Sequence, residues 1–270
     1  MLLHYYEKKV IDITRPFLPS HILLPEILEY DEDNNILCMT DVACNGSLLQ
    51  NSLSAGKFDK HTACAIGQYL GLSHKHTFAK GVTIRGSKEE DRHNWQLFLN
   101  MRTQGINSSR MDANAHDKLK RLYTEALFHH TYDLVINMDC CPKNIFQRGD
   151  DKTSFIDFEL ASGCGDPAYD IGFALGHYML FALLKGANDD SVTAMNALFD
   201  SYLKEMDISA FGNFEERMIS YAGAVLLYRV AGSSPAPYIE RKRIHEIVQK
   251  GSAMVTCGLF SLEKAREILR

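Results

Sequence analysis

Asn137–Asn144, which reads Asn-Met-Asp-Cys-Cys-Pro-Lys-Asn, and Ile156–Glu159, which reads Ile-Asp-Phe-Glu, are the segments that decide the fold. Asp139 and Asn144 are five positions apart, and Asp157 follows Asn144 by thirteen. Phosphoryl transfer needs a group that orients a hydroxyl and oxygen ligands that hold Mg²⁺, and protein kinases supply both with a similar spacing. Carboxylate and amide oxygens suit Mg²⁺. Asp-x-x-x-x-Asn alone is also typical of a solvated turn. The Asp-Phe that follows at 157–158 favours a phosphoryl-transfer site over such a turn.

Apolar runs on both sides of these motifs predict short strands. One covers 134–136, and a partner at 154–158 follows a turn at 149–151, which places Asp157 on a strand. The chain after Pro167 is predicted to be helical, because apolar residues recur at helical spacing and glycines follow the last periodic residues. The four predicted helices cover Tyr169–Leu184, Ser191–Met206, Phe214–Val230 and Arg241–Val255.

The first part of the chain predicts a small β-containing unit. A short helix at 7–17 precedes strands at 27–30 and 36–39, which are joined by an Asp- and Asn-rich turn. Beyond Asp59, a candidate N-cap, the pattern becomes helical. Further helical segments are expected at Gln96–Arg102 and Lys118–His129, with a polar surface loop at Thr103–Asp117 between them.

Composition limits the class of protein. Hydrophobic residues make up 46% and charged residues 23%, and the net charge is -5 without a basic block, which argues against a nucleic-acid partner. Seven cysteines without C-x-x-C spacing favour reduced thiols and a cytoplasmic location over a disulfide framework or a zinc site. The most apolar stretch, Ile171–Leu184, falls short of the roughly 20 residues that span a bilayer, so no membrane segment is expected.

The ordered motifs resemble those of the aminoglycoside phosphotransferase and choline kinase family. Its pattern is roughly His-Gly-Asp-x-x-x-x-Asn, then Ile-Asp-(Phe/Trp)-Glu, then Gly-Asp-Pro-x-x-Asp, and Gly165–Asp170 supplies the third part as Gly-Asp-Pro-Ala-Tyr-Asp. One branch of the family is similar in Pro142–Asn144, in the helix around His177 and in Arg229–Pro235 with Tyr238. The resemblance covers most of the chain.

This resemblance implies a protein-kinase-like two-lobe fold of the α+β class, with a truncated small β lobe and a large, mainly helical lobe. Residues 1–42 would be a remnant of the N-terminal nucleotide-binding lobe and the hinge. Residues 43–270 would form the C-terminal catalytic and substrate-binding lobe. The implied cofactors are ATP and Mg²⁺.

The resemblance also implies roles for single residues. Asp139 would be the catalytic base or hydroxyl-orienting group, and Asn144 and Asp157 would hold Mg²⁺. Backbone groups of Asp41 and Val42, in the hinge, would face the adenine of ATP. Glu7 would match the helix glutamate that pairs with the phosphate-binding lysine, and Asp170 would brace the catalytic loop.

Two departures from the family pattern affect these roles. Asn137 stands where the family has His, and Met138 where it has Gly, which predicts a looser catalytic loop. Only six residues precede Glu7, which leaves no room for a glycine-rich loop and a strand lysine, and Lys8 and Lys9 come too late to serve. Either the protein extends further upstream, which we favour, or the chain is a natural remnant.

Several side chains have a structural interpretation beside the functional one. His74 and His177 lie on apolar helices and are expected to be core histidines. Lys143 would reach a phosphate or remain solvated, and Arg229 would bind an anionic group or close a buried ion pair, of which we favour the ion pair. Gly163–Ala168 fits a loose dinucleotide-binding pattern, but Asp166 would place a negative charge where the pyrophosphate should lie.

The sequence therefore predicts an ATP-dependent phosphotransferase that moves the γ-phosphate to a hydroxyl of a small molecule. A non-catalytic kinase-like module that binds a ligand or a partner protein is the alternative. The acceptor pocket is expected among the rear helices and the 103–117 loop. An acidic pocket would suit an amino sugar or a choline-like cation, but the sequence does not place acidic residues around it. The oligomeric state is equally open.

Overall fold

A computed structural model of the chain describes residues 3–106, 111–233, 235–256 and 261–269. The described chain is α+β, with small sheets at the front and a large body of helices behind them, as predicted. The helices are α1 (Leu3–Thr14), α2 (Leu49–Ser54), α3 (Lys60–Thr77), α4 (Lys88–Gln104), α5 (Ala113–Phe128), α6 (Pro167–Lys185), α7 (Asp189–Glu205), α8 (Phe214–Ala231), α9 (Arg241–Thr256) and α10 (Leu262–Leu269). The strands are β1 (Ile22–Leu23), β2 (Ile27–Asp31), β3 (Ile36–Met39), β4 (Ser47–Leu48), β5 (Tyr132–Ile136), β6 (Ile145–Gln147), β7 (Thr153–Phe155) and β8 (Ser162–Gly165).

Residues 3–42 form what we call the front segment. Helix α1 gives way to a 3₁₀ turn at Arg15–Phe17, where Pro16 cannot continue the α-helical hydrogen bonds. Strands β2 and β3 then pair in an antiparallel hairpin. The Asp31 side chain accepts a hydrogen bond from the Asn34 amide at 3.0 Å, which closes the turn between them. Both predicted strands and their turn are confirmed.

Strand β1 connects the front segment to the remaining residues 43–269, which we call the helical lobe. It runs parallel to β7 in a four-stranded sheet of order β1-β7-β6-β4. Strands β6 and β7 pair antiparallel across the turn at 149–151. The predicted pairing of the 134–136 strand with 154–158 is wrong, because both edges of β7 are taken and β5 pairs with β8 instead. Asp157 lies beyond the end of β7 and not on a strand.

Helix α6 is the centre of the helical lobe. Every residue from Pro167 to Leu183 is buried, so the helix is apolar on all sides and is covered by α3, α7, α8 and α9. Close approach depends on glycines, since a Cβ at Gly172 would lie 2.4 Å from the Met218 carbonyl oxygen of α8. A Cβ at Gly67 of α3 would likewise lie 1.9 Å from the Leu198 carbonyl oxygen of α7. The predicted helices after Pro167 are confirmed, with α10 in addition.

Helices α4 and α5 are present but longer than predicted. The Ser87 side chain accepts a hydrogen bond from the Glu90 amide and starts α4. Asp112 starts α5 in the same way, through the Ala115 amide. The predicted loop at Thr103–Asp117 therefore shortens to 105–112, of which 107–110 lie outside the described residues.

Asp166 caps α6 and belongs to a buried ion pair. Its carboxylate accepts hydrogen bonds from Arg217 at 2.8 Å and 3.1 Å and from the Tyr221 hydroxyl at 3.0 Å. It is fully buried, and its side chain also accepts from the Ala168 amide. The helix start is thus occupied by a protein carboxylate, which agrees with the rejection of a dinucleotide site.

The six cysteines within the described ranges are free thiols. None of the helices in that part of the chain combines the length and the apolar character that crossing a bilayer requires.

Candidate active site

The loop after β5 is held in place by Asp170 of α6. The Asp170 carboxylate accepts hydrogen bonds from the backbone amides of Asn137 at 2.6 Å and Met138 at 2.8 Å. It also contacts His74 Nε2 at 3.2 Å, and His74 Nδ1 contacts the Tyr202 hydroxyl at 3.0 Å. The bracing role predicted for Asp170 and the core role predicted for His74 are therefore confirmed.

The two substitutions in the first motif, Asn137 and Met138, have different structural consequences. Met138 has a φ of 68°, a left-handed conformation that glycine adopts freely and that costs other residues about 1–2 kcal/mol. Asn137 offsets this strain locally, because its side-chain oxygen accepts from the Asp139 amide at 3.1 Å. The Asn137 amide nitrogen also donates to the Tyr69 hydroxyl at 3.3 Å. The loop is therefore strained at Met138 but fastened at Asn137.

Asp139 lies at the centre of a group of polar side chains. Asn144 Nδ2 donates to Asp139 Oδ2 at 3.1 Å, and Lys143 Nζ lies 3.3 Å from the same oxygen. Arg102 Nη2 is 4.0 Å from Asp139 Oδ1. Burial lowers the pKa of Lys143, but Asp139 and Cys141 outweigh it and raise that pKa overall, so Lys143 is a cation beside Asp139. Lys143 thus contacts a carboxylate while its side chain stays 59% exposed, which agrees with the solvated alternative.

Asp157 lies beside this group, in the loop after β7. It has a φ of 68°, and burial together with the nearby Asp139 raises its pKa, although Lys143 and an Asn144 hydrogen bond lower it. Two carboxylates held close together in this way repel each other, which a bound cation relieves. The structure thus brings Asp139, Asn144 and Asp157 together.

The donor set around Asp157 fits Mg²⁺. A carboxylate and an amide oxygen are hard ligands, and Mg²⁺ commonly takes one or two protein carboxylates and completes its shell with phosphates and water. The excess negative charge at Asp157 and Asp139 suits a divalent cation. Across the described ranges, no three His, Cys, Asp or Glu side chains are grouped so that they could hold a metal ion.

Glu7 of α1 reaches the same region from the front segment. Glu7 Oε1 accepts a hydrogen bond from the backbone amide of Phe158 at 3.4 Å, next to Asp157. Burial raises the pKa of Glu7, partly opposed by that hydrogen bond. Within the described chain His4 Nδ1 lies 3.9 Å from Glu7 Oε2, and no lysine pairs with Glu7.

Asp41 and Val42, the residues predicted to lie in the hinge, are between β3 and β4, and Val42 contacts β7, the strand that precedes Asp157. The Val42 carbonyl accepts from the Ser154 hydroxyl at 2.7 Å and from Arg148 at 3.2 Å, so it faces β7. The Asp41 side chain accepts from the Ala43 amide at 2.9 Å and shapes the turn. The Val42 carbonyl thus already has two hydrogen-bond donors from within the chain.

A cavity of about 250 Å³ opens at Asp139. Its walls come from the loop after β5 and from α4, α5, α6 and α8, and they include Arg102, Tyr123, Phe173, His177 and Arg229. The sequence motifs missed most of these residues, because they come from separate helices and share no spacing. His177 is buried as predicted, yet it also lines the cavity. The ion pair favoured for Arg229 is not found among the described residues.

No protein-family model matches the chain, and no curated protein matches it in sequence. Among solved structures, an ethanolamine kinase from Plasmodium vivax is 15% identical, with 98% of this chain and 73% of that one covered at a TM-score of 0.50. An aminoglycoside phosphotransferase from Alicyclobacillus acidocaldarius is 15% identical over 100% of this chain and 82% of its own, at 0.48. A choline kinase from Streptococcus pneumoniae is 13% identical over 94% and 80%, at 0.48.

The chain therefore has a kinase-like fold, the fold of the ethanolamine kinase. The resemblance to the aminoglycoside phosphotransferase and choline kinase family that the motifs predicted is confirmed at the level of the fold.

Proposed function

We propose that this protein is an ATP- and Mg²⁺-dependent phosphotransferase whose acceptor is a hydroxyl of a small molecule. The observation that carries the proposal is the meeting of Asp139, Asn144 and Asp157, on a kinase-like fold, with Asp139 lining a cavity. Residues 1–42 would contribute the hinge side of the nucleotide site, and residues 43–270 the catalytic groups and the acceptor site.

In this proposal Asp139 orients the acceptor hydroxyl and takes its proton. The acceptor oxygen forms a bond to the γ-phosphorus, the bond from that phosphorus to the β–γ bridging oxygen breaks, and ADP leaves with the electron pair. Asn144 fixes the Asp139 carboxylate through its 3.1 Å hydrogen bond. Lys143, a cation 3.3 Å from Asp139, stabilises negative charge that develops beside it.

Asn144 and Asp157 are the residues that would hold Mg²⁺. When bound, the ion neutralises phosphate charge and orients the transferred group. Glu7 would support this part of the site through the Phe158 amide.

Calorimetry with ATP and Mg²⁺ tests the nucleotide and metal part of the proposal. Asp157→Asn is expected to weaken binding at least tenfold, because it removes a charged ligand. Asp151→Asn is a matched control, since Asp151 has a similar left-handed φ of 56° but is exposed in the β6–β7 turn. Binding of ATP that is equally tight in Asp157→Asn and Asp151→Asn would contradict the metal assignment.

Turnover with an identified acceptor tests Asp139. Asp139→Asn keeps the size of the side chain and is expected to lower kcat by about 10²–10⁴, with a small change in KM, because positioned acid–base groups contribute on that scale. A variant with unchanged kcat would exclude Asp139 as the group that takes the proton.

A non-catalytic binding module is the second candidate. The observation that favours it is Asn137, which stands where the family motif has His. It predicts ligand binding in the cavity without ATP binding or phosphoryl transfer, so the same calorimetry separates the two functions.

A further inference from the structure

The cavity at Asp139 has basic and aromatic walls. Three cationic side chains line it, Arg102, Lys143 and Arg229, against one carboxylate, that of Asp139. The residues outside the described ranges include no Asp or Glu, so they add no acidic side chain to this balance. An acidic pocket of the kind that suits an amino sugar or a choline-like cation is therefore not what the chain forms here.

Two of the aromatic rings that line the cavity already contact a cation of the protein itself. The Arg102 guanidinium carbon lies 4.7 Å from the ring centroid of Tyr228 and 5.4 Å from that of Phe173. It also lies 4.9 Å from Phe98, just behind the wall. Aromatic faces attract ligand cations such as quaternary ammonium groups. Here Arg102 occupies those faces and repels a second cation.

Arg229 of α8 provides a charge without a protein partner. Its Nε is buried and has no hydrogen-bond partner, and within the described chain no carboxylate pairs with its guanidinium. A buried donor without a hydrogen bond costs about 1–3 kcal/mol, and the cost is higher for a charged group. Arginine binds planar carboxylates and phosphates through two parallel hydrogen bonds. An anionic ligand is the partner that Arg229 lacks.

His177, on the same wall, lies within the influence of the same three cationic side chains. Its pKa is lowered to about 3, first by burial and then by Arg229, Arg102 and Lys143. The ring is therefore neutral at physiological pH and adds no charge of its own. Its pKa responds to all three cationic side chains of the cavity.

We propose that the acceptor is a small hydroxylated molecule that carries a carboxylate or phosphate group, with the anionic group bound by Arg229 and the hydroxyl presented to Asp139. The acceptor identity rests on the phosphotransfer proposed above, whereas anion binding at Arg229 stands on the cavity alone. Transfer then proceeds as described, with the γ-phosphoryl group passing to the hydroxyl oxygen and the hydroxyl proton to Asp139.

Calorimetry of the full chain with defined probes tests this inference. Glycerate, glycerol 3-phosphate and inorganic phosphate are expected to bind, whereas glycerol and choline are expected to bind at least tenfold more weakly. Arg229→Gln should weaken binding of the anions tenfold or more, since a charged hydrogen-bond pair is lost. Arg229→Lys keeps the charge but loses the planar guanidinium group. Its affinity for the anions should lie between those of the parent chain and Arg229→Gln.

Lys242→Gln is the matched control, because Lys242 is 76% exposed, lies outside the cavity and loses the same charge. Its affinity for the anions should stay within twofold of the parent chain. Equal affinity of Arg229→Gln and the parent chain, choline binding as tightly as glycerate, or no binding of any anion at millimolar concentration would each overturn the inference.

ATP titrations of the same samples separate this inference from the proposed function. Anion binding that depends on Arg229 in a chain that does not bind ATP would remove the phosphotransferase and leave the anion site. ATP binding that depends on Asp157, together with choline-selective binding in the cavity, would leave the phosphotransferase and remove the anionic acceptor.

Discussion

The front segment, residues 3–42, and the helical lobe bury their apolar residues very differently. Strands β2 and β3 contain no fully buried residue, and Leu28 and Ile36 are 65% and 53% exposed. Helix α6, by contrast, is buried without interruption from Pro167 to Leu183. A two-stranded hairpin is marginal in water without further packing. The hairpin is therefore held by its neighbours, and the front segment joins the core of the helical lobe through Val10, Ile11, Ile22 and Leu24 and through the β1–β7 pairing.

The candidate active site lies where these regions meet. Asp139 and the cavity belong to the helical lobe, and Glu7 reaches the Phe158 amide from the front segment. Global stability should depend on the helical lobe, while changes in the front segment should affect the molecule locally. The following substitutions test this difference.

The largest effect is expected from the buried ion pair of the helical lobe. Arg217→Met leaves the fully buried Asp166 carboxylate without its partner, which costs about 3–5 kcal/mol of unfolding free energy. Lys8→Met breaks an exposed pair with Asp12 in the front segment and should cost less than about 1 kcal/mol. Urea unfolding of both variants gives the comparison, and similar losses would mean that the two regions do not differ as described.

A pair of leucine substitutions should give the next largest difference. Leu226→Ala removes a fully buried side chain of α8 and is expected to cost about 2–5 kcal/mol. Leu28→Ala in β2 removes a side chain that is 65% exposed and should change stability by about 0.5 kcal/mol or less. Thermal unfolding of the two variants measures this difference in stability. A loss of stability in Leu28→Ala as large as that in Leu226→Ala would show that the β2–β3 hairpin is buried against other parts of the molecule.

His177 should make stability depend on pH. Its pKa is about 3 in the folded chain against an ordinary value of 6.5, so below pH 6.5 the unfolded chain binds a proton that the folded chain does not. Stability is therefore complete above pH 6.5 and is lost as the pH falls towards 3, by about 2 kcal/mol between pH 6.5 and pH 5.

His177→Asn removes this proton uptake. Urea unfolding at pH 7.5 and pH 5 should show a smaller loss in the variant than in the parent chain. An equal loss of stability in the variant and the parent chain would mean that His177 takes up a proton in the folded chain as readily as in the unfolded chain.

The smallest effect is expected at Glu7, where the front segment meets the site. Burial raises its pKa, so the stability that its protonated form contributes is present at low pH and is lost as the pH rises through the folded pKa. Glu7→Gln keeps an acceptor for the Phe158 amide without the buried charge. It should raise the melting temperature slightly at pH 7.5 and not at pH 4, whereas a lower melting temperature at pH 7.5 would indicate that the charge of Glu7 has a partner.

Local signals in the sequence predicted much of the fold. The hairpin at β2 and β3, the Asp59 cap of α3 and the helices after Pro167 follow from turn residues, capping and periodicity, which act over a few positions. The starts of α4 and α5 were missed, although Ser87 with Glu90 and Asp112 are caps that the sequence does contain. The strand pairing was wrong because alternation identifies a strand but not its partner.

The sequence by itself determined the order of the motifs, and hence that Asp139, Asn144 and Asp157 should lie together in a kinase-like fold. Only the tertiary structure decided the character of the cavity. Arg102, His177 and Arg229 come from three different helices, and the packing of α4, α6 and α8 around Asp139 places the positive charges of Arg102 and Arg229 beside the neutral His177 ring. Electrostatic interactions depend on distance in space and not on separation along the chain, so no spacing of residues encodes them.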